Sequence, residues 1–301
     1  MKIRSSKPVR FIFSGAVLLT VSSVVVSGAA ASSNLISYYS FDDLSTAPAA
    51  SDSISSNDAI KSGNPAPTSS TDVPYSSPEN LGSAQFDGLN YLEINNTIGD
   101  SFTICAWVKT ASVGGGAHWT SAPIVDSETG GWALDFGFGI NDQGKLMFGN
   151  GGYDNSAQYD SWVSGNAVVN DSNWHHVCAT RDNSNGAVNL FVDGVLDNQG
   201  TTGTGILTSN PKIKIGNGSD GNQPFVGLID DLRIYDSVLT AEEVAEVHSP
   251  PIPTPEPKDS TGDLAETGAG IKGMELLPWA LAFIATGISF ILASRRRQRK
   301  P

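Results

Sequence analysis

The most constraining feature of this 301-residue sequence is an alternation of apolar residues that recurs in short central segments. In residues 101–108 the apolar side chains occupy every second position, and residues 188–192, 212–215 and 228–235 repeat the pattern between turn-forming Gly, Asn and Asp residues. Successive side chains of a strand point to opposite faces of a sheet, so each segment is interpreted as a β-strand. Many short strands predict an all-β fold, a two-sheet antiparallel sandwich.

Charge is distributed unevenly along the chain. Ten of the 18 Lys and Arg residues lie in residues 1–31 and 268–301, which hold one acidic residue, Glu275. The remaining part has 8 basic and 30 acidic residues, a net charge of −22. Nucleic-acid phosphates and anionic membrane surfaces would repel such a domain, so neither is expected as its partner.

The N-terminal residues have the three parts of a secretory signal peptide. A basic stretch ending at Arg10 precedes an apolar run over residues 11–26, and Ala29–Ala31 supply small residues for cleavage. This order predicts a signal peptide over residues 1–31 and export of the chain. The alternative is a retained N-terminal anchor.

The C-terminal residues resemble the sortase sorting signal of Gram-positive surface proteins. The motif is formed by Leu264, Ala265, Glu266, Thr267 and Gly268. It is followed by an apolar span over residues 276–293, long enough for a transmembrane helix, and by a basic cytoplasmic tail over residues 294–301. The usual motif has Pro at the second position, and Ala265 matches the Leu-Ala-x-Thr-Gly variant.

The resemblance implies that sortase is a partner. It would cleave after Thr267 and join the chain covalently to cell-wall peptidoglycan, so the protein would be found on the extracellular surface, anchored in the wall. The alternative is an ordinary single-pass membrane anchor with an accidental motif.

Two segments define the limits of the central domain, which is placed at residues 34–249. Residues 250–263 form a Pro-rich linker expected to be extended. Just before it, Thr240 and Glu243 form a capping box that predicts a short helix through Val247. Residues 45–78 are rich in Ser, Ala and Pro and are expected to form a long surface loop.

Five sequence blocks in the central domain are similar to those of one family. They are the opening strand at residues 35–43, the Phe-Asp-Gly turn at 86–88 with the strand after it, and the segments at 101–109, 173–194 and 227–236. In this order they resemble the LamG-like jelly-roll domains of the concanavalin A-like lectin/glucanase superfamily, which includes the pentraxins. The resemblance implies a jelly-roll sandwich.

Cys105 and Cys178 are the two cysteines of the chain. An exported chain with two cysteines is expected to form one disulfide. Pentraxins carry a bridged pair in similar strand contexts, which supports the same pairing here. The alternative is two buried free thiols, and a metal site is not expected because two cysteines without close spacing lack enough ligands.

Catalysis is not expected from this sequence. Retaining glucanases of this fold carry Glu-x-Asp-x-x-Glu on one strand, which places the acids on one face, and the sequence lacks this motif. His175 and His176 are adjacent in a strand and would point to opposite faces, so they are interpreted as structural.

The resemblance further implies a structural calcium ion, which many relatives bind. Asp43, Asp87 and Asp230 are the candidate ligands, because carboxylates are preferred by Ca²⁺ and these segments could meet in the fold. The alternative is that Asp230 caps a turn or is solvated.

Ligand contact is assigned to aromatic residues in two polar, Gly-rich stretches, residues 114–119 and 149–163, which are expected to form a loop rim, since sugars stack on aromatic faces. The candidates are Trp119, Tyr153, Tyr159 and Trp162. Trp107, Trp132 and Trp174 lie in apolar alternation and are interpreted as core residues.

These observations favour a wall-anchored binding or adhesion module that recognises glycans or extracellular matrix proteins. A structural envelope protein without a specific ligand is the alternative. An unfamiliar glycosidase or lyase of the same fold is a third hypothesis.

Overall fold

The computed structural model describes residues 34–42, 44, 49–154, 157–218 and 224–249. The signal peptide, the Pro-rich linker, the sorting motif and the apolar span predicted above lie outside these residues. No helix in the described part of the chain is long and apolar enough to cross a bilayer.

Among the residues that the structure describes, sixteen strands and one α-helix make up the fold. The strands are β1 Leu35–Tyr39, β2 Ala49–Ala50, β3 Ala59–Ser62, β4 Thr68–Ser70, β5 Ser83–Asp87, β6 Tyr91–Asn95, β7 Phe102–Thr110, β8 Ala122–Asp126, β9 Phe136–Ile140, β10 Lys145–Asp154, β11 Ala157–Val168, β12 Trp174–Asp182, β13 Ala187–Val192, β14 Val195–Thr201, β15 Lys212–Ile215 and β16 Val226–Tyr235. Helix α1 spans Ala241–His248, and His118–Thr120 form one 3-10 turn between β7 and β8.

The strands form two eight-stranded antiparallel sheets, which confirms the predicted two-sheet sandwich. Sheet I has the order β14-β13-β12-β7-β16-β5-β4, with β1 also paired to β16. Sheet II has the order β11-β10-β9-β8-β15-β6-β3-β2. Both sheets contain runs of consecutive strands, β12 to β14 and β8 to β11, whereas β16 joins β7 and β15 joins β6 across distant parts of the sequence.

The core lies between the sheets and follows the alternation of the strands. In β7, Ile104, Ala106 and Val108 point into it, and in β9, Phe136 and Phe138 do the same from the opposite sheet. Each of these side chains is fully buried. Removal of apolar surface from water stabilises such a core by roughly 25 cal/mol for each Å².

A second, smaller apolar cluster lies on the outer face of sheet I. Cys105 and Cys178 occupy directly opposite positions of β7 and β12 and form a disulfide with Sγ atoms 2.11 Å apart. Phe191, Tyr235 and Val244 pack around it, the last from α1. The α1 helix therefore covers this face of the sheet.

The predicted capping box begins α1. Thr240 Oγ1 accepts a hydrogen bond from the Glu243 backbone N–H at 3.2 Å, and Glu243 Oε2 accepts one from the Thr240 N–H at 2.7 Å. This arrangement satisfies two N–H groups that the first turn of a helix leaves without partners.

Two stretches differ from the sequence-based predictions. Residues 45–78 contain β2, β3 and β4, so the interpretation as one long surface loop was wrong for these parts. Most of residues 149–163, expected to form a loop rim, belongs to β10 and β11. In both stretches pairing to neighbouring strands, rather than an apolar pattern, supports the extended backbone.

Candidate functional site: a tryptophan pocket on sheet II

The site lies on the outer face of sheet II, over a bare patch where outward-facing glycines provide no side chains. In β9 the Phe side chains at 136 and 138 enter the core, so Gly137 and Gly139 face outward. On the neighbouring strand Gly149 lies opposite Gly137. The absence of side chains here lets the 3-10 turn lie directly on the sheet: a Cβ at Gly149 would be 2.6 Å from the Cβ of His118, and one at Gly137 would be 3.0 Å from the His118 carbonyl oxygen.

The close approach of this turn brings two tryptophans together. Trp119 follows His118 in the turn, and Trp162 lies on β11 directly opposite Gly149. Their ring centroids are 5.4 Å apart with the planes almost perpendicular, at 88°. Each tryptophan is 40% exposed. Large aromatic surfaces held rigidly and left open to solvent are typical of binding sites.

A pocket of about 350 Å³ opens beside this pair. It is lined by Trp119, Glu128, Thr129, Gly130, Gly131, Trp132 and Asp160. Trp132 is 69% exposed and stands on the segment between β8 and β9. We call the site formed by these seven residues together with Trp162 the tryptophan pocket.

Two of the polar side chains that line the pocket, Glu128 and Asp160, are acidic. Glu128 is buried, and its Oε1 lies 2.8 Å from Nε2 of His118. Asp135, behind the pocket, accepts hydrogen bonds at 2.7 Å from both the backbone N–H and the hydroxyl of Thr129. Burial raises the pKa of Asp160, and the Asp135 carboxylate raises it further.

His118 is neutral in this setting. Burial lowers its pKa to about 4, although the carboxylates of Asp160 and Asp135 act in the opposite direction. Its Nδ1 is buried and has no hydrogen-bond partner among the described residues. At neutral pH the pocket therefore carries carboxylates beside an uncharged imidazole.

The structure brings two of the four predicted ligand-contact aromatics to this site. Trp119 and Trp162 are the pair just described, with Trp162 on a strand rather than a loop. Tyr153 is 44% exposed and Tyr159 is half-buried, and neither lines the pocket. Sequence reasoning missed Glu128 and Asp160, which lie 32 positions apart in the sequence and both line the pocket.

The three tryptophans interpreted as core residues have different positions. The interpretation was wrong for Trp132, which lines the pocket. Trp174 is half-buried at the surface, where its Nε1 donates a hydrogen bond to Asp72 at 2.8 Å. Trp107 is nearly buried, but it packs on the outer face of sheet I against the rings of His176 and His248.

The adjacent histidines separate as expected. His175 lies between Asp171 and Asp193, with ring nitrogens 3.2 and 2.9 Å from their carboxylates. His176 is fully buried beside the disulfide, its Nδ1 3.8 Å from Cys178 Sγ. Among the described residues, Cys105, His176 and Cys178 form the cluster of possible metal ligands whose atoms lie close enough together to hold an ion. The two sulfur atoms of this cluster are already joined in the disulfide.

A second polar site lies where β1 ends and β16 bends. Asp230 is fully buried, and burial, followed by the charge of Asp231, raises its pKa to about 8. Asn80 donates a hydrogen bond from Nδ2 to Asp230 at 3.2 Å, while its Oδ1 is buried without a hydrogen-bond partner among the described residues. Asp42 is close enough to raise the pKa of Asp230 as well, and its Oδ1 accepts from the Leu81 N–H at 2.6 Å.

The neighbouring Asp231 already has hydrogen-bond and ion-pair partners. The hydroxyls of Tyr38 and Tyr75 donate to its two carboxylate oxygens, and Arg233 Nη2 lies 3.6 Å away. Its φ of 50° marks a bulge in β16, where the register against β7 shifts. The bulge explains how two consecutive aspartates are both buried.

The other calcium candidates do not join this site in the described residues. Asp87 pairs with Val226, four positions along β16 from Asp230, which corresponds to about 13 Å. Its Oδ1 accepts from the backbone N–H groups of Leu89 and Asn90 in the following turn. Asp43 lies outside the described residues.

Comparison with known protein families gives one match that covers more than half of the chain. The model of the Laminin_G_3 family, described as concanavalin A-like lectin/glucanases superfamily, matches residues 86–245. Neuronal pentraxin-1 from Homo sapiens is 26% identical over 162 residues, which cover 48% of this chain and 32% of that protein. Sushi, von Willebrand factor type A, EGF and pentraxin domain-containing protein 1 from Rattus norvegicus is 31% identical over 90 residues, which are 2% of the length of that protein.

Solved structures show the same architecture. Domain 4 of AbnA, a GH43 extracellular arabinanase from Geobacillus stearothermophilus, solved with arabinotriose, superimposes with a TM-score of 0.52 at 23% identity and covers 72% of this chain and 98% of that one. The binding domain of Paraclostridial Mosquitocidal Protein 1 gives a TM-score of 0.50 at 15% identity, covering 71% and 52%. At these identities the likeness is one of fold.

Proposed function

The chain belongs to the concanavalin A-like lectin/glucanases superfamily, and we propose that it is a glycan-binding module whose ligand occupies the tryptophan pocket. The observation that carries the proposal is the perpendicular pair of half-exposed tryptophans, with a third beside the same 350 Å³ pocket. Sugar rings present apolar C–H faces that stack on indole and hydroxyls that bind carboxylates and backbone groups. The size of the pocket suits one or two sugar units.

The rigid construction of the pocket supports binding. Trp162 is fixed by the pairing of β11 with β10, and the turn that carries Trp119 is held by backbone hydrogen bonds, including Ser121 N–H to His118 O at 3.2 Å. A ligand therefore meets side chains that are already ordered, which lowers the entropic cost of association.

Binding to a glycan array, followed by calorimetric titration of the best ligand, tests the proposal. Trp119→Ala and Trp162→Ala are expected to weaken binding about tenfold or more, equivalent to about 1.4 kcal/mol. Tyr153→Ala removes an aromatic ring of similar exposure outside the pocket and is the matched control. Equal losses in all three variants, or no glycan bound by the parent protein, would contradict the assignment.

We propose that binding takes place without turnover. The extended acid motif of the glucanases of this fold is absent from the sequence, and the Glu128 carboxylate is engaged with His118. Release of reducing sugar from a panel of polysaccharides, abolished by Glu128→Gln, would instead establish a glycosidase.

The proposed location is the outer surface of a Gram-positive cell. The predicted signal peptide and sorting motif support it, with sortase and peptidoglycan as partners. Mass spectrometry of wall-digested cells should find a C-terminal peptide ending at Thr267 joined to peptidoglycan fragments. Thr267→Ala should release this linkage and leave the chain in the membrane or medium, whereas wall attachment that persists in this variant would exclude sortase.

Calcium is proposed as a structural ligand of the second polar site. Asp42, Asp230 and the unpartnered Oδ1 of Asn80 are oxygen donors of the kind that Ca²⁺ prefers, and they replace the set predicted from the sequence. A bound divalent cation would compensate the buried carboxylate and link the end of β1 to β16. The chemistry supplied is charge neutralisation and cross-linking, not catalysis.

A further inference from the structure

Trp132 differs from the other two tryptophans of the pocket in its lack of contacts. Trp119 and Trp162 are each 40% exposed and pack against each other and against the ring of His118. Trp132 is 69% exposed, and within the described part of the chain it makes no hydrogen bond, ion pair or ring contact. The fold therefore holds two of the indoles in place and fixes the third by none of these interactions, although all three border the same site.

The backbone before Trp132 has the properties of a hinge. Gly130 and Gly131 have φ angles of 80° and 73°, in the left-handed region that glycine adopts readily. A Cβ added at either position would find no atom within 4 Å, so the surrounding structure does not pack against the side-chain position of either glycine. Small residues in open space let the backbone rotate, as hinge positions require, and Trp132 can follow that rotation.

Both ends of this segment are fixed to the rest of the fold. On the upstream side, the backbone N–H and the hydroxyl of Thr129 donate to Asp135 Oδ2, each at 2.7 Å. On the downstream side, the Leu134 N–H donates to Ser209 Oγ at 2.9 Å, and the Ser209 N–H donates back to the Leu134 carbonyl oxygen at 3.0 Å. Movement is therefore confined to residues 130–133, which we call the Trp132 flap.

A flap of this kind can add a second aromatic face to a bound sugar. A sugar stacked on Trp119 alone covers one face of its ring and leaves the other face in water. When every ring substituent is equatorial, both faces of a pyranose carry C–H groups, and both can pack against indole. An axial hydroxyl held against an indole loses water without gaining a hydrogen-bond partner. One aromatic platform accepts such a sugar through its other face, but two platforms exclude it.

We propose that the Trp132 flap closes on a sugar ring already stacked on Trp119, and that the closed pocket selects pyranoses with all-equatorial substituents over those with an axial ring hydroxyl. The preferred ligands are β-linked glucose and N-acetylglucosamine units, and the disfavoured ones are mannose and galactose units. The pocket volume of about 350 Å³ admits a ring of this size. This selectivity rests on the proposed glycan-binding function and specifies its ligand class.

Cellotetraose and mannotetraose test the selectivity, because their β-linked chains have the same extended shape and each mannose unit differs from glucose only in one axial hydroxyl. Calorimetric titration of the full-length protein should show cellotetraose binding about tenfold more tightly, equivalent to about 1.4 kcal/mol. Stopped-flow tryptophan fluorescence follows the closure. The observed rate should rise with cellotetraose concentration and then level off, because the flap closes after the sugar has bound.

Three substitutions assign the preference to the flap. Trp132→Ala should lower the affinity for cellotetraose to about that for mannotetraose, change the latter by less than about twofold, and make the observed rate linear in concentration. Trp119→Ala should weaken both tetrasaccharides. Leu89→Ala removes a side chain of similar exposure, 73%, that does not line the pocket, and should leave the preference intact.

Each outcome has a separate meaning. Equal or tighter binding of mannotetraose, or a preference that persists in Trp132→Ala, would overturn the selectivity and leave glycan binding in place. A glycan array whose best ligands carry axial ring hydroxyls would do the same. Rates that rise linearly in the parent protein would show that no closure follows binding and would overturn the flap. Failure of every glycan to bind would reject the glycan-binding function itself.

Discussion

Gly149→Ala is expected to disturb the tryptophan pocket through a single added methyl group. The new Cβ would lie 2.6 Å from Cβ and Cγ of His118 and 2.7 Å from Cβ of Trp162. Carbon atoms in contact normally stand about 3.5–4.0 Å apart, so a neighbour has to move by about 1 Å. Trp162 is held in the ladder directly opposite Gly149, and the shorter turn carrying His118 is the part that moves.

The loss of stability follows from overpacking, which typically destabilises a folded protein by about 1–3 kcal/mol. We therefore expect urea denaturation of Gly149→Ala to give a free energy of unfolding lower by about 2 kcal/mol. Movement of the turn also separates Trp119 from Trp162, so the exciton signal of the perpendicular indole pair in circular dichroism should weaken, as it should in Trp119→Phe. The affinity of Gly149→Ala for glycans should fall together with this signal.

Gly116→Ala is the matched control. Its added Cβ would meet Asp142 Oδ2 at 3.6 Å, an ordinary contact, on the same segment that leads into the turn. This variant should keep the indole signal and the stability of the parent to within about 0.5 kcal/mol. If Gly149→Ala behaves like Gly116→Ala, the bare glycine patch does not position the turn and the account of the pocket is refuted.

Three further predictions concern stability. Calcium at about 100 times its dissociation constant should stabilise the protein by about 2.7 kcal/mol, and Asp230→Asn should abolish the difference between melting curves in calcium and in EDTA, whereas equal curves for the parent would refute the site. Arg181, fully buried, donates hydrogen bonds to three backbone carbonyls and to one amide side chain, so Arg181→Met should cost about 3 kcal/mol or more in urea denaturation; a loss below about 1 kcal/mol would show that these bonds are dispensable. Burial lowers the pKa of His118 to about 4 and that of His176 to about 3. Below pH 6.5 these histidines therefore bind protons in the unfolded chain that they do not bind in the folded protein. Stability should thus decline as the pH falls from 6.5 towards 4, and His176→Gln should reduce the slope by up to about 1.4 kcal/mol per pH unit; an unchanged slope would mean that His176 is protonated in the fold.

The strands that bury one face could be predicted from the sequence, because their side chains alternate. The segment 212–215 is β15 with the same bounds, and the predicted strand at 101–108 is β7 shifted by one residue at its start and two at its end. β2, β3 and β4 could not be predicted in this way. They are two to four residues long, and β3 and β4 present few apolar side chains, so their structure depends on pairing with β6 and β5.

The candidate site was predictable in its aromatic residues but not in its carboxylates. Trp119 and Trp162 were found because exposed aromatics stand out in polar, Gly-rich stretches. Glu128 and Asp160 carry no local pattern, since their proximity depends on how a turn packs on another strand. Trp132 follows two glycines with positive φ, at 80° and 73°, which carry the chain outward and override the apolar pattern that suggested burial.

The two outer faces of the sandwich differ: one is covered by a helix, and the other carries the proposed binding site. On sheet I the outer face is closed by α1 over the disulfide, Phe191 and Tyr235. On sheet II the Phe-Gly alternation of β9 fills the core with one set of side chains and leaves the other side bare, and the tryptophans gather there. The described chain ends after α1 at Ser249, on the sheet I side. The tryptophan pocket and Ser249, the last described residue, therefore lie on opposite sides of the sandwich.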